Sequence, residues 1–274
     1  MTSVRVTHVG GPTTLIEVDG WRLLTDPTFD APGRRYSFGW GTSSRKVTGP
    51  AVAVDELPPL DAVLLTHDHH GDNLDDAGRA LLAEVGTVLT TGAGARRLAS
   101  GSGSGPGSGR ATIRGLAPWD TYRLEAADRP AIDVTATPCR HGPPLSRPIV
   151  GDVVGFALRW DGQQHGVLWI SGDTVLYGGV RQVADRFDVG TVVLHLGSVQ
   201  FGLTGPVRYT MTADEGVELC GLLAPTTVLP VHYEGWSHFH QGREAIEPAF
   251  AAAPAEIRDS VRWLERGVAT EVEV

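Results

Sequence analysis

Apolar and polar residues alternate over residues 4–9, and a second short run over 13–18 follows Gly10-Gly11-Pro12. Alternation of this kind predicts strands with one face buried. Asp19-Gly20 then interrupts the pattern, and residues 21–24 resume it. A two-residue Asp-Gly break between such runs predicts a hairpin turn. Residues 28–50 carry Gly, Ser, Arg and aromatics without a period, and read as a long surface loop. Within it Phe29, Tyr36, Phe38 and Trp40 either wall a pocket or pin the loop down.

The next apolar run, Ala62-Val63-Leu64-Leu65, has no alternation and lies between Pro58-Pro59 and a polar cluster. It predicts a short strand buried on both faces. Leu74, Ala77, Leu81 and Leu82 then show helical spacing, with Asp75 as the cap. Further strands are predicted over 87–90, 131–137, 155–160, 166–170, 191–194, 227–230 and 268–274. Asp161-Gly162 joins two of them as a hairpin, and Thr212 with Glu215 marks a capping box at a helix start. One more helix is predicted over 243–252. The stretch at about 100–110 is almost purely Gly and Ser and reads as a flexible surface insertion. The strand pattern resumes after it, so residues 1–274 read as a single domain.

Chemistry-bearing residues collect where the predicted strands stop. His67, Asp68, His69, His70, Asp72 and Asp75 fall just past the apolar run. His141 follows the strand over 131–137, Asp173 the one over 166–170 and His232 the one over 227–230. Imidazole and carboxylate are the donors that zinc, iron and manganese accept. Donors at four strand ends predict a metal site assembled by folding, with a position left open for water. Asp26, also just past a strand, is read as structural, bonding nearby backbone. His195 is either a buried structural imidazole or a pocket donor. Tyr233 and Trp236 are candidate substrate-wall residues, as are His238 and His240, and Arg140 a candidate partner for a substrate phosphate.

The net charge of −9 removes electrostatic support for nucleic-acid binding. Two cysteines, Cys139 and Cys220, do not suggest a disulfide framework. No run of about 18 apolar residues predicts a membrane span, and no signal-peptide pattern opens the chain, so a cytoplasmic protein is expected.

The anchors Leu24-Thr25-Asp26-Pro27, residues 57–67, Ser171-Gly172-Asp173-Thr174 and Pro230-Val231-His232-Tyr233 together resemble the metallo-β-lactamase superfamily. They are most similar to its ascorbate-phosphate lactonase and N-acylphosphatidylethanolamine phospholipase D type branch. The resemblance implies an α+β fold, a four-layer αββα sandwich with metals at one edge between two mixed sheets. It implies one or two divalent ions, zinc first, with manganese or iron as alternatives. His67, His69 or His70, and His141 would hold one ion, Asp72 and His232 the other, with Asp173 between them. The family loop reads His-x-His-x-Asp-His, whereas here one residue is inserted and Asn73 takes the place of the last His, with a carbonyl oxygen as a weaker donor to zinc than imidazole. The implied activity is hydrolysis of an ester-type bond, a lactone or a phosphodiester, by a metal-bound hydroxide, with Asp72 or Asp173 serving it. The alternative is a degenerate relative that binds a metal or metabolite without turnover. The expected partner is a small-molecule substrate, and a homo-oligomer remains open.

Overall fold

The N-terminal alternation forms three antiparallel strands, β1 (Ser3–Gly10), β2 (Thr13–Val18) and β3 (Trp21–Thr25). A computed structural model describes residues 3–101 and 111–274. Asp19 and Gly20 both have positive φ, 45° and 87°, as the tight turn between β2 and β3 requires. Next come a small hairpin, β4 (Arg35–Ser37) and β5 (Ser43–Arg45), and three strands parallel to β3. These are β6 (Ala62–Leu64), β7 (Thr87–Thr91) and β8 (Thr112–Leu116).

The second sheet takes β9 (Thr121–Ala126), β10 (Arg129–Pro138), β11 (Val154–Arg159), β12 (Val167–Ile170), β13 (Val189–His195) and β14 (Thr227–Val231). Its order is β14-β13-β12-β11-β10-β9. A closing strand, β15 (Ala269–Glu273), returns to β1, so the first sheet runs β15-β1-β2-β3-β6-β7-β8.

Burial alternation explains the layering. Ala62 and Leu64 of β6 face Phe156, Leu168 and Ile170 of the second sheet in one cluster between the sheets. Val63 and Leu65 face the other way, onto Leu74, Leu81, Leu82 and Leu98. These belong to helices α1 (Asp76–Leu81) and α2 (Gly92–Gly101) and the segments beside α1. The uninterrupted apolar run is therefore a strand covered on both sides. On the outer face of the second sheet, Trp169, Val192, Leu194 and Val228 pack against Val180, Val183, Leu219, Ile246 and Phe250. The short α3 (Arg147–Val150) lies in the loop after β10, and the covering helices are α4 (Gly178–Arg186), α5 (Ala213–Leu223) and α6 (Arg243–Ala251), with α7 (Ala255–Arg258) beyond. The result is helices, sheet, sheet, helices: the expected αββα sandwich.

Asp75 caps α1 by accepting from Gly78 N at 2.9 Å, and the Thr212–Glu215 capping box opens α5. The segment 28–50 departs from the loop expected. It forms the β4–β5 hairpin, with Phe29, Tyr36 and Phe38 buried and Trp40 75% exposed. Its hidden anchor is Lys46, buried with its Nζ 2.8 Å from Asp75 Oδ2. A lysine gives no apolar signal in a sequence, so the segment reads as exposed. The Gly/Ser-rich stretch from residue 102 to 110 lies outside the described residues. No helix among the described residues is long and apolar enough to cross a membrane.

Candidate metal centre

Strands β12, β13 and β14 are parallel, and β10 and β12 each pair antiparallel with β11, so β10, β12 and β14 end on one edge. His141, Asp173 and His232 follow those ends. β6 brings the loop beginning at His67 to the same place. Asp26 fixes the start of this loop: its Oδ1 accepts from Thr66 N at 2.7 Å, and Thr66 Oγ1 reaches both its oxygens. The carboxylate is structural, as expected, but the backbone that it holds lies 40 residues away.

Two donor groups result. Ligand atoms of His67, His70 and His141 lie within 4.8 Å of one another, as do those of Asp72, Asp173 and His232. All six side chains are buried. In the first group His67 Nδ1 meets Thr66 Oγ1 at 3.0 Å, and His141 Nδ1 meets the Tyr209 carbonyl at 2.8 Å. Such contacts on Nδ1 leave Nε2 of each ring facing inward. In the second, His232 Nδ1 lies 3.4 Å from Asp173 Oδ1 and its Nε2 lies 3.7 Å from Asp72 Oδ2.

The backbone pays for this arrangement at two points. Gly172, at φ 65°, precedes Asp173, and a Cβ there would meet the Val154 carbonyl at 2.8 Å. His232 sits at φ 57°, held by its N–H to the Gly11 carbonyl at 2.9 Å. Positive φ at a non-glycine residue persists only where its surroundings impose it.

The electrostatics fit a cation. Burial and the neighbouring imidazoles hold His67 and His70 well below the usual histidine range, and burial pushes His141 down to about 4. Burial likewise lowers His232. Neutral imidazoles are the ligand form. Asp173 is raised well above the carboxylate range by burial, then by Asp72 and Asp26. For Asp72 burial acts upward, yet the His232 and His238 imidazoles beside it hold it well below that range. Asp173 Oδ1 and both ring nitrogens of His232 are buried without a hydrogen-bond partner among the described residues. Unpartnered buried donors around two carboxylates are what a divalent ion would satisfy.

Asn73 stands between the carboxylates. Its Nδ2 donates to Asp26 Oδ2 at 3.3 Å and to Thr66 Oγ1 at 3.4 Å, and the other end of the amide faces Asp72 Oδ1 and Asp173 Oδ2 at 3.2 and 3.3 Å.

Four expectations change. His69 turns out of the first group: its Nε2 meets the Val150 carbonyl and its Nδ1 lies 3.9 Å from Asp68 Oδ1. The turn closed by Asn73 N and Leu74 N on the His70 carbonyl carries His70 back over His67 instead. His195 is fully buried, 3.6 Å from Asp26 and behind His232, so it is no pocket donor. Tyr233 packs into the helix-covered core against Trp263, because it and His232 leave the strand end on opposite sides. Trp236 is buried with Tyr36 and Phe38 and anchors the β4–β5 hairpin, away from the cleft that His141 lines. Arg140 lines a cleft of about 660 Å³ with His141, Arg96 and Tyr177, and its guanidinium lies over the Tyr177 ring at 4.6 Å.

Two contributions escape sequence reading. Tyr209 acts through its carbonyl, which no side-chain pattern reports. His238, weighed only as part of a wall, has Nε2 3.0 Å from Asp72 Oδ2.

A fold of two mixed sheets with a double donor group at one edge defines the metallo-β-lactamase class. The chain belongs to the beta-lactamase superfamily, whose domain family matches residues 21–233. It is 28% identical to a UPF0173 metal-dependent hydrolase of Opitutus terrae, over 98% of this chain and 100% of that one. Identity to a metal-dependent hydrolase of Deinococcus radiodurans is 28% over 77% of this chain and 80% of the relative. Among solved structures, the isothiocyanate hydrolase from Delia radicum gut bacteria shares the fold with a TM-score of 0.76, at 20% identity over 97% of this chain and 98% of that one. A possible metal-dependent hydrolase from Veillonella parvula does so at 0.77 and 19%, with the same coverage.

Proposed function

We propose that this chain is a metal-dependent hydrolase that cleaves an ester-type bond, a lactone or a phosphodiester, in a small anionic molecule. The observation that carries the reading is the pair of adjoining, buried donor groups, His67/His70/His141 and Asp72/Asp173/His232. Membership of the superfamily and relatives named metal-dependent hydrolases support it. The first group would hold one divalent ion and the second another, with Asp173 shared. Zinc suits the imidazole-rich first group, and manganese or iron also suit the carboxylate-bearing second. Such ions, when bound, make water acidic enough to ionise near neutral pH and oppose the negative charge that develops on oxygen.

The chain's own residues supply the rest. Asp72 or Asp173 orients the attacking water and takes its proton. Arg140 has no carboxylate partner among the described residues and opens onto the cleft beside His141. In a chain of net charge −9, that guanidinium selects an anionic substituent. The anchor segments similar to the lactonase and phospholipase D type branch favour a lactone or phosphodiester.

The test is elemental analysis of protein purified without chelator, followed by a panel of anionic lactones and phosphodiesters. Turnover that chelation abolishes and zinc or manganese restores is expected. Protein that takes up metal yet turns over nothing on the panel would point to the non-catalytic relative.

A further inference from the structure

Between His67 and His70 the ligand loop carries two residues that neither donor group uses, Asp68 and His69. Each grips a different wall of the cleft beside His141.

One wall is the start of α2, where Gly92, Ala93 and Arg96 line the cleft. Asp68 is buried and accepts from Arg97 of that helix with both carboxylate oxygens, the Nε contact at 2.8 Å. A Cβ on Gly94, one turn earlier, would meet Asp68 Oδ1 at 3.0 Å.

The other wall is the loop after β10, which lines the cleft with Pro143, Ser146, Val150 and Val153 among others. His69 Nε2 meets the Val150 carbonyl. A carbonyl only accepts, so Nε2 carries the hydrogen. The ring also presses on the next residue. A Cβ on Gly151, which sits at φ 70°, would meet His69 Cε1 at 2.5 Å and Nε2 at 2.6 Å. Two successive residues of the wall are thus shaped around one imidazole.

The wall is otherwise tied to itself. Val150 N donates to the Ser146 carbonyl, Gly151 N to the Arg147 carbonyl and Ser146 Oγ to the His141 carbonyl, while Arg147 pairs with Asp152. Among the described residues, only the hydrogen bond from His69 reaches residues 143–153 from outside this loop. A segment held at its middle by one bond opens locally when that bond is lost.

We propose that His69 is a positioning residue for the substrate cleft. Its bond to Val150, with the Asp68–Arg97 pair opposite, holds the two walls at a fixed spacing beside the metal centre and so determines which anionic substrates fit. The imidazole that the inserted residue turns away from the donor group serves as a clamp on the cleft wall. The inference rests on the reading above that this cleft takes the substrate.

Zinc-loaded protein tests it by two measurements. Amide hydrogen exchange needs no substrate. His69→Ala should speed exchange at Val150 and Gly151 by at least about tenfold and leave β13 unchanged. His69→Gln, which keeps an N–H donor at similar reach, should stay close to the wild type. In turnover, His69→Ala should raise KM about tenfold with kcat and bound zinc little changed, and His69→Gln should restore KM. Unchanged exchange or unchanged KM in His69→Ala would overturn the inference, because the wall would then stand without the bond. Exchange that quickens equally in β13 would overturn it too, making His69 a support of the whole fold. So would loss of zinc from His69→Ala, or a His69→Gln variant that behaves like alanine. A wild type without turnover would sink the hydrolase reading instead, and the exchange measurement alone would then decide whether His69 holds the wall.

Discussion

His67 Nε2 and His70 Nδ1 lie 3.1 Å apart, while His69, between them in sequence, reaches away to the Val150 carbonyl. The inserted residue thus displaces His69 and leaves His70 at the site. His70→Ala should weaken metal binding at the first group by more than about 100-fold, beyond what the loss of a supporting residue costs. His69→Ala should change it by less than about tenfold. Competition with a chromophoric chelator measures both. Equal losses would reverse the assignment of His70.

The two kinds of titrating group in the metal-free site act in opposite senses. Asp173, raised by burial and by Asp72 and Asp26, costs stability when ionised at pH 7, and that cost is relieved as pH falls. Asp173→Asn should therefore raise the Tm of metal-free protein by a few degrees while abolishing turnover. His67, His70 and His141 lie below their unfolded value of about 6.5, His141 at about 4. Between those limits the unfolded chain binds more protons, so stability falls as pH falls. Metal-free Asp173→Asn isolates this contribution, and its Tm should drop steadily from pH 7 to pH 4.5. A flat profile would mean that the imidazoles are not buried neutral.

Arg140 borders the cleft beside His141 without a carboxylate partner among the described residues. Arg140→Ala should raise KM for an anionic substrate roughly 10- to 100-fold, the scale of one charge-assisted hydrogen-bond pair, with kcat changed little. A neutral analogue should show no such difference. A uniform loss of kcat on both substrates would instead mean that Arg140 supports His141.

Lys46 and Asp75 form a buried ion pair at 2.8 Å that joins the β4–β5 hairpin to the helix following the metal loop. Asp75 also accepts from Asp30 N at 2.7 Å and caps α1. Lys46→Met would leave that carboxylate without its cation, at a cost of about 3–5 kcal/mol. Urea unfolding measures this, and a change below about 1 kcal/mol would show that backbone donors alone satisfy Asp75.

The strands, their turns and their caps were written locally. Asp19-Gly20, the run 62–65, Asp75 and the Thr212–Glu215 box each act over a few residues, so the chain declares them before it folds. The edge on which donors gather was also legible, since His67, Asp72, His141, Asp173 and His232 all follow strands. Tertiary structure decided what faces what. His69 and His70 are neighbours, and only the turn that closes on the His70 carbonyl selects between them. Asp72 and His238 are 166 residues apart and meet because two loops share one sheet edge. Tyr233 enters the core and His195 retreats behind His232 because strand ends direct successive side chains to opposite sides, and only sheet packing determines which side is open.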